Sequence, residues 1–297
     1  MNYTKTDEAS VRYGTTNVDG LDIFSREAGN SENPAVVLLH GFPASSHMYR
    51  DVLASDLADR YFLIAPDYPG FGDSDYPASG EFTYTFDRIA EVMDRFLEQR
   101  GIEKYTLMIQ DYGAPVGFRI AVKHPERLTG IIAMNGNAYE EGLGAKGWGP
   151  IFEYWEGKTP ELEEKIAANV FSLEGLKWQY THGTRKPEGI LPDNWNLDYM
   201  KLSRRGQHRV QLDLFYDYQN NVKLYPQWQA FLSKYQPPLL IVWGKNDAFF
   251  PEPGAAAYKR DVKNIDYHIL NTGHFALEEE APFIIEKMKV FLKKNVR

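Results

Sequence analysis

The sequence predicts an α/β fold, with a mainly parallel central sheet flanked by helices and a mainly helical segment inserted into it. Three observations lead there. Short, continuous apolar runs recur along the chain, each ended by a glycine or a turn residue, as in strands buried on both faces. Segments of helical period alternate with them, which is the signature of strand–helix–strand units. From about 139 to 225 the strand-like runs stop, and this stretch holds seven of the 19 tyrosines and four of the six tryptophans.

In chain order, residues 35–40 (AVVLLH) form the first apolar run, closed by Gly41. Residues 61–66 (YFLIAP) and 105–109 (YTLMI) read the same way, and 128–134 (LTGIIAM) is a further strand despite its glycine. Within residues 85–100, Phe86, Ile89, Ala90, Met93, Phe96 and Leu97 share one helical face. After the inserted segment, which has a helical stretch at 161–170, alternation resumes. Residues 238–244 (PLLIVWG) and 265–270 (IDYHIL) read as strands, and 255–259 and 282–294 as helices. The expected organisation is a core over 1–137, an inserted helical cap over 138–225, and the rest of the core over 226–297.

Composition narrows the function. Acidic residues outnumber basic ones, 41 to 33, so the net charge of −8 disfavours nucleic acid as a partner. The absence of cysteine excludes disulfides, thiolate metal sites and cysteine nucleophiles. The first ten residues are polar, without the apolar core of a signal peptide, and no apolar run has the roughly 20 residues that span a bilayer. The expectation is a soluble, cytoplasmic protein with a small-molecule partner and no membrane partner.

In open α/β sheets ligands bind beyond the carboxyl ends of the strands, so the residues after each strand carry the chemistry. After 105–109 comes Gln110-Asp111-Tyr112-Gly113, then a helical run. A strand, a sharp turn with glycine two residues after its centre, and a helix make a nucleophile elbow, here with Asp111 where serine is usual. By itself Asp111 could equally cap the helix. After 35–40 comes His40-Gly41-Phe42-Pro43, whose Phe42 N–H, with that of Tyr112, can bind an oxyanion. After 238–244 comes Lys245-Asn246-Asp247, and after 265–270 comes Gly273-His274-Phe275. Any one of these is a weak signal. Together, Asp111, Asp247 and His274 each follow a predicted strand, in the order nucleophile, acid, base.

These motifs resemble the epoxide hydrolase and haloalkane dehalogenase branch of the α/β-hydrolase superfamily. The resemblance covers essentially the whole chain: HGFP at 40–43, DYPGFGDSD at 67–75, QDYGAP at 110–115, the cap, WGKND at 243–247 and GHF at 273–275. It implies the α/β-hydrolase fold and a catalytic set of Asp111, His274 and Asp247. Gln110-Asp111 is similar to some dehalogenases, whereas HGFP and a tyrosine-rich cap are similar to epoxide hydrolases. The chain departs from both at Tyr112, where tryptophan is common, and at Ile109, where glycine is common.

An aspartate nucleophile changes the reaction. Attack on an acyl group would give a reactive anhydride, whereas attack on a saturated carbon gives an alkyl ester whose carbonyl belongs to the enzyme. His274, oriented by Asp247, would then activate water against that ester. The resemblance implies tyrosine hydroxyls on the cap for an opening epoxide. Tyr218 is the first choice for the second such position, with Tyr216 as its competitor, and Tyr154 for the first. A halide would instead need buried N–H donors, such as those of Trp155 or Trp178. Epoxide hydrolysis is the first expectation, haloalkane hydrolysis the second, and non-catalytic ligand binding a remote third. No metal or organic cofactor is implied.

Overall fold

The computed structural model describes residues 10–296. Its eight strands are β1 (Arg12–Val18), β2 (Leu21–Ala28), β3 (Ala35–Leu39), β4 (Phe62–Pro66), β5 (Tyr105–Ile109), β6 (Leu128–Ala133), β7 (Leu239–Gly244) and β8 (Ile265–Leu270). They form one sheet in the order β1-β2-β4-β3-β5-β6-β7-β8. β1, β2 and β4 pair antiparallel, and the remaining neighbours run parallel. The α-helices are α1 (Arg50–Leu53), α2 (Phe86–Gln99), α3 (Gly113–Lys123), α4 (Ala145–Glu156), α5 (Pro160–Val170), α6 (Leu173–Thr181), α7 (Pro192–Leu202), α8 (Gln207–Tyr235), α9 (Glu252–Ala257) and α10 (Leu277–Asn295). None of the described helices is long and apolar enough to cross a membrane.

Every residue of β3, β4, β5 and β7 is buried, which is why these strands read as unbroken apolar runs. The glycine within β6 has a packing cause: a Cβ at Gly130 would lie 3.1 Å from the ring of Phe291 on α10. α2 buries the expected stripe from Phe86 to Leu97, and its first turn is capped by Thr85 Oγ1, which accepts from Arg88 N. α10 starts earlier than expected, but Glu280 breaks its helical geometry, so Pro282 lies in the first turn of its long part.

The β1–β2 hairpin is the element missing from the sequence reading. Its strands are half-exposed and polar, so no apolar run marks them. The signal that identifies it is Asp19-Gly20 between them, both at positive φ, as a tight hairpin turn requires. Between β6 and β7 the chain carries α4 to α8 and no strand. The expected boundary at 225 falls inside α8, one continuous helix of 29 residues that leads from the inserted segment back to the sheet.

Candidate active site

Five strand ends converge on one point: His40-Gly41-Phe42 after β3, Gln110-Asp111 after β5, Asn135 after β6, Asp247 after β7 and His274 after β8. The turn at Asp111 is tight. Gly113 N donates to Gln110 O at 2.7 Å, and Asp111 itself sits at φ 49°, where a side chain other than that of Asn or Asp is rarely tolerated. Glycine is required beside it, because a Cβ at Gly113 would meet the backbone oxygen of Leu39 at 2.1 Å and one at Gly41 would meet Asp111 Cβ at 2.2 Å. Ile109 packs its Cγ2 into the space left by Gly117.

The Asp111 side chain does not cap α3. Its Oδ1 accepts two backbone N–H bonds instead, from Phe42 at 2.7 Å and Tyr112 at 2.6 Å. These are the two donors expected of an oxyanion hole. Oδ2 has no such bond and faces His274, whose Nε2 lies 3.9 Å away, beyond hydrogen-bond reach. Burial pushes the Asp111 carboxyl up to about 6. His274 and the two N–H groups pull against that rise.

His274 Nδ1 lies 2.7 Å from Asp247 Oδ2, so the proton on Nδ1 is donated to the carboxylate and the lone pair of the neutral ring is on Nε2. Burial opposes the imidazolium, but the charge and hydrogen bond of Asp247, with the charge of Asp111, outweigh it and raise His274 above its ordinary value. Asp247 is itself held. Asn135 Nδ2 donates to its Oδ2 at 2.8 Å and Phe249 N to its Oδ1 at 2.7 Å. Sequence reasoning missed Asn135, although the strand-end rule applied to β6 points to it. It also missed Gln110, whose amide nitrogen is 2.9 Å from His274 Nε2.

The cavity over this group is about 30 Å³ and lined mainly by apolar side chains, among them Phe42, Tyr112, Trp148, Ile151, Phe215 and Phe249. Such a volume exceeds the ~10–15 Å³ needed for one water, so the site has room for water beside Asp111 and His274. α4, α5, α6 and α8 supply its roof.

The cap tyrosines are placed differently from the sequence expectation. Tyr154 donates to Glu163 Oε1 at 2.6 Å and accepts from Arg209 at 3.1 Å, on the side of α4 that faces α5 and α8. Tyr216 packs edge-on against Tyr154, under Lys158. Neither lines the cavity, because the two residues share an outer ion-pair cluster. Tyr218 stands one layer behind the wall, its ring 4.3 Å from that of Trp148 and 6.0 Å from that of Tyr112. Its hydroxyl is 3.5 Å from that of Tyr225, which accepts from Asn137 Nδ2 at 3.2 Å. Tyr112, in the wall, has a buried hydroxyl without a hydrogen-bond partner.

The indole groups are spent elsewhere. Trp148 Nε1 donates to Phe249 O at 3.1 Å and Trp155 Nε1 to Phe215 O at 2.8 Å, while Trp178 is exposed and stacked on His182. Among the described residues, Asp94, Glu98 and His124 are close enough to share a metal ion. Asp94 is already paired with Lys123 at 2.7 Å and His124 at 3.0 Å, and none of the three borders the cavity.

Sheet order, elbow and buried Asp–His pair together define a hydrolase of the α/β class. The chain belongs to the alpha/beta hydrolase fold family, whose model matches residues 34–281. It is 42% identical over 279 residues, 93% of this chain and 95% of the other, to an uncharacterized hydrolase of Saccharomyces cerevisiae. It is 28% identical to haloalkane dehalogenase 2 of Mycobacterium tuberculosis, over 84% of each chain. A mutant epoxide hydrolase of Vigna radiata shares the fold with a TM-score of 0.76 and 22% identity, over 96% of this chain and 99% of that one.

Proposed function

We propose that this hydrolase opens small epoxides to diols through an alkyl ester on Asp111. Asp111 Oδ2, the oxygen that the backbone donors leave free, attacks the less hindered ring carbon. The C–O bond of the epoxide breaks, and the leaving oxygen takes a proton or a strong hydrogen bond from a tyrosine. Oδ1 becomes the ester carbonyl oxygen, already seated between Phe42 N and Tyr112 N. Water then adds to that carbonyl, with His274 Nε2 as base and Asp247 holding the imidazolium. Formation of the ester removes the Asp111 charge that favours protonated His274, so the ring more readily loses its proton and leaves Nε2 free to accept one from water. The inserted segment, residues 138–225, serves as the cap that covers the substrate.

One observation carries the choice of leaving group. Both indole N–H groups next to the cavity are committed to carbonyl oxygens, whereas the buried Tyr112 hydroxyl has no partner. A halide needs desolvated N–H donors, and an opening epoxide needs a hydroxyl. Burial raises Tyr112 and Tyr218 well above the ordinary phenol value, so both stay protonated at any working pH. Tyr112, which lines the cavity, is the first donor. Tyr218 can act with it if Tyr225 gives its hydrogen to the Tyr218 oxygen, which leaves the Tyr218 hydrogen free.

The test compares diol formation from propylene oxide with bromide release from bromoethane at equal enzyme concentration. Diol formation with little bromide is expected. Rapid bromide release without diol would replace this reading with a dehalogenase, and turnover of neither substrate, with both binding, would favour a non-catalytic binder.

A further inference from the structure

Hydrolysis of an ester on Asp111 asks for more than a base. A water held only at His274 Nε2 can still rotate about that hydrogen bond. A second acceptor is what fixes its lone pair on the ester carbon. Gln110 is the side chain placed to provide it. It is fully buried, and its backbone is fixed at both ends, N–H to Leu39 O at 3.2 Å and carbonyl to Gly113 N at 2.7 Å. Its amide nitrogen meets His274 Nε2, and its Oε1 is buried with no partner. That oxygen and Asp111 Oδ1 crowd one spot, because a Cβ at Gly41 would lie 2.6 Å from the first and 2.5 Å from the second. A buried acceptor left unpaired is costly to folding, and it calls for an explanation.

We infer that Gln110 is a positioning residue for the hydrolytic water, an inference that rests on the Asp111 ester proposed above. Before the ester forms, its amide N–H donates to Nε2 whenever His274 is neutral and holds the ring over Asp111. In the ester, water takes that place, with one O–H donated to His274 Nε2 and the other to Gln110 Oε1. The water oxygen bonds to Asp111 Cγ, the carbonyl electron pair moves to Oδ1, and the first proton passes to Nε2. Collapse breaks the Cγ–Oδ2 bond, and the diol leaves with Oδ2, taking the proton from Nε2. Gln110 exchanges no proton.

The experiment follows the alkyl adduct by intact mass after rapid mixing with propylene oxide. Adduct formation and loss are timed across pH for the wild type, Gln110→Met, Gln110→Glu and His274→Gln. Gln110→Met is expected to form adduct within about twofold of the wild-type rate and to lose it roughly tenfold more slowly or worse. The charged groups facing His274 are Asp247 and Asp111, and the carboxylate of Gln110→Glu adds another. It should therefore move the pH midpoint of adduct loss upward, an effect that packing alone would not produce. Wild-type loss kinetics in Gln110→Met, or an equal fall in both steps, would overturn the assignment. Should Gln110→Met fail to fold by thermal unfolding, an unshifted midpoint in Gln110→Glu overturns it. An adduct that persists in His274→Gln but clears normally in Gln110→Met sinks the Gln110 role alone. No adduct in any of the four proteins removes the Asp111 ester and this inference with it.

Discussion

Replacing Asp111 with Asn is expected to abolish turnover and to make the protein more stable at neutral pH. The carboxylate is buried, and burial lifts it from 3.8 to about 6. At about 1.36 kcal/mol for each tenfold change in acidity, that rise amounts to about 3 kcal/mol. The sign follows from proton binding. The native carboxyl holds its proton more tightly than the unfolded one, so nothing is lost below about pH 4 and native stability falls as pH rises through about 6. Asn removes this loss with little change in shape. It tolerates the positive φ at this position, and its Oδ1 keeps the N–H bonds of Phe42 and Tyr112. The attraction of His274 is already contained in that value, so a gain of about 1–3 kcal/mol is expected at pH 7. Urea unfolding of both proteins at about pH 4, 5.5 and 7 measures it. The reasoning is refuted if the variant is no more stable than the wild type at pH 7, or if its advantage is as large at pH 4.

Three further outcomes are expected. A single turnover in heavy-oxygen water should place solvent oxygen in the Asp111 carboxylate, and label found only in the diol would exclude the ester route. His274→Gln should accumulate an adduct with the mass of the alkyl group, because attack and hydrolysis use different groups, whereas wild-type turnover would place the base elsewhere. Tyr112→Phe should slow epoxide opening by about 100- to 1000-fold, the cost of one hydrogen bond to developing charge. Tyr218→Phe should cost less, and Tyr154→Phe should lower stability through its Glu163 and Arg209 bonds while leaving turnover in place. If only Tyr154→Phe impairs ring opening, the donor assignment is wrong.

What the sequence determined by itself was local. Asp111, Asp247 and His274 could be singled out because each lies within a few residues of a strand end, and for β5 and β7 a run of five or six buried residues marks a parallel strand without knowledge of its neighbours. The elbow was legible as a strand, a turn with Gly113 and a helix, although the close approaches that require Gly113 and Gly41 join it to Leu39 and the loop after β3. The β1–β2 hairpin was legible in principle from Asp19-Gly20, but its polar, half-exposed strands hide it from a search for apolar runs. The inserted segment is different. That it is helical and aromatic was plain, yet which of its tyrosines approach Asp111 was not, because α4 and α8 are helices on which residues one or two apart face different sides. Tyr154 turns to Glu163 and Arg209, and Tyr218 reaches the layer behind the cavity. Gln110 and Asn135 belong to the site only through partners 164 and 112 residues away. The commitment of both indole N–H groups, and with it the choice of leaving group, rests on how the inserted helices pack on the sheet. Contacts of that kind join distant parts of the chain, and only the tertiary structure decides them.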